Sequence, residues 1–204
     1  MFSNSLAGNR MLVNDAGMDA QKKTVSAERM QEEWQEIQAA QQNPALFRPL
    51  YNRYYEPVFR FIHKRTADEE LSADLCSQVF LKALQRLGEY SFRGVPFSAW
   101  LFRIASNEVS QHYRVVQKNR IVSVEDSQMG DVMDEIEEDD NELLRANLLL
   151  ALDELKEGDM ELIEMRFFEQ RSFKEIAEIL DMTESNAKVK TYRILERLKK
   201  RLTS

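Results

Sequence analysis

The stretch Ser172-Phe173-Lys174-Glu175-Ile176-Ala177-Glu178-Ile179-Leu180, followed by Asp181-Met182 and by Thr183, decides the reading of this chain. Ser172 with Glu175 three positions on makes a capping box, in which each side chain satisfies the other's free backbone N–H. Phe173, Ile176, Ala177, Ile179 and Leu180 recur at helical spacing and face inward. Ala177 falls where a second helix crosses closest, so a small side chain is required there. Asp181-Met182 is the turn, and Thr183 is an N-cap for the helix that follows. That helix turns Ala187, Thr191, Ile194 and Leu198 inward and leaves Glu184, Ser185, Asn186, Lys188, Val189, Lys190, Tyr192, Arg193 and Arg197 outside. Two capped helices on a tight turn predict a helix-turn-helix, whose second helix suits the DNA major groove. One asparagine, two lysines and two arginines on a single face match base edges and phosphates together. The plainer alternative is a solvated basic face on an ordinary terminal helix. The helix dipole accounts for Lys199, Lys200 and Arg201, but not for the capped helix and turn that come before.

Charge is distributed unevenly around this element. The 204 residues carry a net charge of −7. Residues 1–42 sum to −2 and residues 43–120 to +5. Residues 121–142 hold ten acidic side chains and no basic one, whereas residues 143–204 balance at zero. Within the last segment, Glu184 to Ser204 has seven basic against two acidic side chains. An intensely negative, apolar-poor stretch between two regions with positive elements reads as a charged, extended tether.

Helical periodicity runs through both flanks, and strand-like alternation is absent. Residues 1–25 show no sustained period and read as a loose tail. Met30, Trp34 and Ile37 then mark a short amphipathic helix from Ser26. Asn43-Pro44 is an N-cap with proline at the first helical position. Phe47, Leu50, Tyr51, Tyr54, Val58, Phe61 and Ile62 form one apolar stripe, with Pro57 as a kink point. Leu71, Leu75, Val79, Ala83 and Leu87 form a second, stopped by Gly88. After a loop, Glu89 to Pro96, come Phe97, Trp100, Leu101, Ile104, Ala105 and Val109. Beyond the acidic stretch, Leu144, Leu148, Ala151, Leu152 and Leu155 start a C-terminal bundle. Gly158-Asp159 is expected to break it before Leu162, Ile163, Arg166 and Phe167.

Between Tyr90 and Arg120, aromatic and basic side chains interleave: Tyr90, Phe92, Arg93, Phe97, Trp100, Arg103, Asn107, His112, Tyr113, Arg114, Lys118 and Arg120. Single-stranded nucleic acid needs flat surfaces for unstacked bases and cations for its backbone, and such stacking contributes about 1–3 kcal/mol per base. Composition leaves the strip open between that use and an ordinary core, to which periodicity assigns at least part of Trp100.

Three segments in order carry a resemblance to bacterial sigma-70-family factors of the extracytoplasmic-function group. Asp74-Leu75-Cys76-Ser77-Gln78-Val79-Phe80-Leu81-Lys82-Ala83-Leu84 is similar to the family's polymerase-clamp-binding helix. Phe97-Ser98-Ala99-Trp100-Leu101-Phe102-Arg103-Ile104-Ala105-Ser106-Asn107 resembles its strand-melting, −10-reading helix. Glu175 through Arg193 resembles its −35-reading helix-turn-helix. The resemblance spans residues 27–120 and 143–202. It implies an all-α fold of two small bundles: a sigma region 2-like domain over 26–120 and a sigma region 4-like domain over 143–204, joined by an acidic flexible linker at 121–142.

By position, the resemblance implies that Asp74, Phe80, Lys82 and Leu84 bind core RNA polymerase, at the largest-subunit clamp. Phe92, Arg93, Phe97, Ser98, Trp100, Arg103, Asn107 and Arg114 would hold the −10 strand. Thr183, Glu184, Ser185, Asn186, Lys188, Val189, Lys190 and Arg193 would read the −35 duplex. Implied partners are core polymerase at clamp and flap, promoter DNA and an anti-sigma factor. Asp181 takes the place of the glycine usual at the turn, so an aspartate is expected in left-handed backbone.

Other classes find little support. No acid–base pair, nucleophile or phosphate loop appears, so an enzyme is not expected, nor any cofactor. One cysteine, Cys76, excludes an internal disulfide, and with only two histidines there is no zinc set. No apolar run approaches the roughly 20 residues that span a bilayer, and no secretory h-region follows the N-terminus, so a cytoplasmic protein is expected. The readings from other classes are a helix-turn-helix regulator that binds duplex DNA without polymerase, and a helical interaction protein with an incidental basic helix.

Overall fold

The computed structural model describes residues 27–116, 126–136 and 142–202, and among them there are helices and turns but no strand. The expected tail, Lys118, Arg120 and parts of the acidic stretch lie outside the described residues.

Helix α1 (Ala27–Gln42) leads into a 3-10 turn at Pro44–Phe47, whose first N–H, that of Ala45, donates to the Asn43 side chain at 3.1 Å. Helix α2 (Arg48–Thr66) runs through Pro57 and ends where Ala67 turns left-handed at φ 50°. Asp68 accepts from the Leu71 N–H at 3.0 Å and so caps α3 (Glu69–Arg86), which also starts with two glutamates suited to the dipole. A 3-10 turn, Leu87–Glu89, opens the loop before α4 (Phe97–Val116). Helices α2, α3 and α4 pack mutually around Leu50, Val58, Ile62, Val79, Ala83, Leu101 and Ala105, all buried.

Inside the stretch read as a tether lies a helix, α5 (Asp126–Glu135). Met129, Val132 and Met133, with Ile136 just beyond, are buried, and α5 packs on the segment after α7. Four apolar residues at spacings of three and four suffice to anchor one helical face, although surrounding carboxylates mask them in the composition. The extended-tether expectation therefore fails over 126–136.

The C-terminal unit comprises α6 (Glu142–Asp153), α7 (Glu157–Ile163), a π-helical turn at Glu164–Phe168, α8 (Phe173–Ile179) and α9 (Glu184–Leu202). The break falls at Glu154–Lys156 and not at Gly158-Asp159. Asp159 and Met160 donate N–H groups back to the Lys156 carbonyl, so Gly158 sits inside the first turn of α7. The capping box forms as read, with the Ser172 hydroxyl accepting from the Glu175 N–H at 3.2 Å and Glu175 accepting from the Ser172 N–H, also at 3.2 Å. Thr183 Oγ1 accepts from the Asn186 N–H, and Ala187, Thr191, Ile194 and Leu198 are buried. Asp181 takes φ 54°.

The two bundles do not stand apart. Helix α8 packs along α4, and buried apolar residues of both units form one continuous cluster. At its centre the wholly buried Arg65 of α2 pairs with Glu169 at 2.6 Å and Glu164 at 3.1 Å, both on the π turn or just beyond it. The i to i+5 bond, from the Glu169 N–H to the Glu164 carbonyl at 2.9 Å, brings those two carboxylates to one side. Burial alone would weaken the Arg65 charge, but Glu169 and Glu164 outweigh it and raise its pKa. Burial likewise pushes Glu169 up, and the guanidinium groups of Arg65 and Arg171 overcome this and hold it below its ordinary range. Arg171 lies over the Phe102 ring at 4.0 Å, and Ser106 of α4 donates to Glu161 of α7.

Candidate nucleic-acid interface

The loop between α3 and α4 is held from behind by α1. Gln41 donates to the carbonyls of Leu87 and Tyr90, both at 2.8 Å. The Trp34 ring stacks on Phe92 at 6.2 Å and meets Tyr90 edge-on at 6.0 Å. Glu33 accepts from the Phe97 N–H at 3.4 Å, satisfying a free donor at the start of α4, and is itself held by Arg53 and Tyr54. Helix α1 is thus part of the site's scaffold, a role its short sequence stripe did not signal.

This scaffold builds a cleft of about 240 Å³ whose walls include Tyr90, Ser91 and Arg93 from the loop and Trp100, Arg103 and Asn107 from α4. Arg86 and Glu89 complete its rim, so three guanidinium groups, one carboxylate, an amide and aromatic rings converge on a space suited to a flat, hydrogen-bonding heterocycle beside an anion. Burial, with Glu33 and Glu178 nearby, pushes the Tyr90 phenol up to about 12. Phe92 (38% exposed), Asn107 and Arg114 are at the surface, while Ser98 and Trp100 are half-buried. Phe97 is corrected: at 1% exposure it sits among Tyr54, Tyr90 and Trp100 as a core residue and offers no face to a base.

Two of the cleft's three arginines face α8 and the turn after it. Arg93 pairs with Glu178 at 3.4 Å. Arg103 reaches Glu178 at 3.6 Å and Asp181 at 2.7 Å. Lys174 donates to the Gly94 carbonyl at 2.7 Å, and Gly94 holds φ +70°, a conformation that glycine adopts without strain.

On α3, Asp74, Gln78, Leu81 and Leu84 share one exposed face. Leu81, absent from the positions inferred from sequence, is 57% exposed beside Leu84. Phe80 is corrected in the same way as Phe97: its ring packs on Tyr51 at 4.7 Å and against Phe47 and Tyr55, so it supports the surface from beneath. Lys82 turns back to the buried carboxylate of Glu108 at 2.5 Å and bridges α3 to α4. Cys76 is buried, and burial pushes its thiol up to about 12, so it stays protonated.

On α9, Thr183, Glu184, Ser185, Asn186, Val189, Lys190 and Arg193 are exposed and Lys188 is half-buried, a face separate from the cleft. Among the described residues no cluster of three potential metal ligands occurs, and no helix is long and apolar enough to cross a membrane.

Comparison with known proteins places both units. Residues 50–119 match the model of Sigma-70 region 2, and residues 145–198 match that of Sigma-70, region 4. The chain is 30% identical over 159 residues to the RNA polymerase sigma factor YlaC of Bacillus subtilis, covering 76% of this chain and 90% of that one. It is also 30% identical over 154 residues to the ECF RNA polymerase sigma factor BldN of Streptomyces coelicolor, covering 74% of this chain but spanning 58% of that relative's length. Among solved structures, CnrH in complex with the cytosolic domain of CnrY has the same fold, with a TM-score of 0.51 and 22% identity over 80% of this chain and 93% of that one.

Proposed function

The chain belongs to the extracytoplasmic-function group of sigma-70-family RNA polymerase sigma factors, and from that membership we propose which surfaces do which work. As a family member it is an alternative sigma factor, a non-enzymatic partner of RNA polymerase in transcription initiation.

Helix α9 reads the −35 duplex. Asn186 and Arg193 address base edges, and Lys188 and Lys190 the phosphates. The cleft of Tyr90, Arg93, Trp100, Arg103 and Asn107 takes a base extruded from the −10 element, with Phe92 and Arg114 along the strand. No catalytic group is needed, because binding an extruded base offsets the few kcal/mol of unstacking it. The exposed α3 face, Asp74, Leu81 and Leu84, docks on the polymerase clamp, with Phe80 and Lys82 holding it in shape. Region 4 meets the flap, an anti-sigma factor restrains the free chain, and the protein works in the cytoplasm with polymerase.

One observation supports this division: a single chain carries two surfaces of different kind, an exposed helix face with basic side chains and a cleft of aromatic and arginine side chains. A regulator of duplex DNA alone would have no use for the second. The test is reconstitution with core polymerase on genomic promoter fragments, followed by transcript mapping. Stable co-elution with core and new start sites are expected; duplex binding with neither would overturn the proposal. Within a reconstituted holoenzyme, truncating Phe92, Arg93 and Asn107 to alanine should abolish opening, and equal opening would refute the cleft assignment.

A further inference from the structure

Helix α9 holds an apolar residue where a surface helix has least use for one. At about 100° per residue, the buried Ala187, Thr191, Ile194, Leu195 and Leu198 centre on a direction about 180° from Val189. Val189 is thus the apex of the outward face, and it is 46% exposed. A lone surface valine needs no explanation in general. This one stands among Asn186, Lys190 and Arg193, all exposed, on the face assigned to base edges and phosphates. It lies in the second turn of α9, toward the end with which a recognition helix addresses bases. β-Branching makes valine a weaker helix former than lysine or arginine, and at the apex the core gains nothing from it. Tyr192, also exposed, lies about 60° round the helix, where its ring leans on Phe173 of α8 at 6.4 Å.

The floor of a major groove presents donors, acceptors and one apolar group, the C5-methyl of thymine. Valine neither donates nor accepts. Against any other base edge it strips water from polar atoms and returns no hydrogen bond. Against the methyl, apolar surface leaves water on both sides. We propose that Val189 is a specificity-determining residue, which selects thymine at one position of the −35 duplex through its C5-methyl. The proposal rests on the assignment of α9 to that duplex. Asn186 and Arg193 select by hydrogen bonds, whereas Val189 selects by a single methyl and is blind to the rest of the base.

The test uses holoenzyme reconstituted from core polymerase and the full chain. Its probe is a random-sequence duplex library copied once with thymine and once with uracil, which differs from thymine only by lacking the methyl. Bound duplexes are sequenced. In the thymine library one position of the enriched −35 motif should favour thymine by about fourfold, the factor for burying one methyl, and in the uracil library that preference should vanish. Val189→Ser should give the same result with both libraries, and Val189→Ile should restore the difference. A thymine preference that persists with uracil, or a methyl-dependent preference that survives Val189→Ser, overturns the proposal, as does a motif with no favoured thymine. Asn186→Ala with Arg193→Ala separates this from the reading beneath it. If that pair leaves the motif unchanged, the −35 assignment of α9 itself fails. If it reshapes the motif while thymine and uracil are equivalent for the parent, only the role of Val189 fails.

Discussion

Replacing Arg65 by methionine removes a cation that Glu164 and Glu169 share across the two bundles. Both carboxylates are buried, at 4% and 9% side-chain exposure, and Glu169 keeps Arg171 at 2.5 Å. Deleting one partner of a buried ion pair costs about 3–5 kcal/mol. A ceiling comes from protonation: neutralising a carboxyl of ordinary pKa at pH 7 costs about 3.7 kcal/mol, from roughly 2.7 units at 1.36 kcal/mol each. A loss of about 3 kcal/mol in urea unfolding at pH 7 is expected. If Glu164 escapes by binding a proton, the folded variant holds one proton more than the unfolded chain. Its stability relative to the parent must then fall as pH rises, by about 1.4 kcal/mol per unit between pH 5 and 7. If the bundles part instead, small-angle scattering shows a larger radius of gyration. Removing the Glu164 charge as well, as Arg65→Met with Glu164→Gln, leaves Glu169 paired with Arg171 and should recover most of the loss. A loss below about 0.5 kcal/mol with an unchanged radius would refute the view that this cluster holds the interface.

Acidification of the parent should loosen the same contact: Glu169 is held below 4.5 in the folded protein, so its contribution is complete above that value and is lost as pH falls through its lowered pKa; scattering that shows no expansion on acid titration before global unfolding would count against this. Lys190→Ala should reduce the log–log salt slope of holoenzyme binding to −35 duplex by about 0.9, and an unchanged slope excludes a phosphate contact. Trp34→Ala removes the ring under Phe92 without touching DNA; binding of the −10 strand should weaken by about 0.5–1.5 kcal/mol with core-polymerase affinity unchanged, and unchanged strand binding would show that α1 does not position the loop.

Most of the architecture was legible because helix signals are local. Ser172 and Glu175, Asn43 before Pro44, and the stripes of α2, α3 and α4 act within a turn or two of themselves, so spacing alone identifies them. Phe80 and Phe97 were misplaced for a related reason. A motif gives a position along the chain, whereas exposure depends on which neighbours close over the ring, here Tyr51 on one and Tyr90 on the other. Helix α5 escaped because four apolar residues were outweighed by carboxylates in any compositional average. The contact between bundles was out of reach altogether. Arg65 and Glu169 are 104 positions apart, and nothing local distinguishes either from a surface charge. The same holds for Glu178, an ordinary outward glutamate in the motif until α4 arrives opposite.

The widened turn at Glu164–Phe168 fixes more than one ion cluster. In ordinary α winding each residue advances about 100°, so side chains five apart diverge by about 140°. Excising a single residue there would restore regular winding and swing everything downstream, α8 and α9 included, through about 100° relative to α7. The azimuth at which α8 and α9 leave their stem is therefore set by one surplus peptide unit.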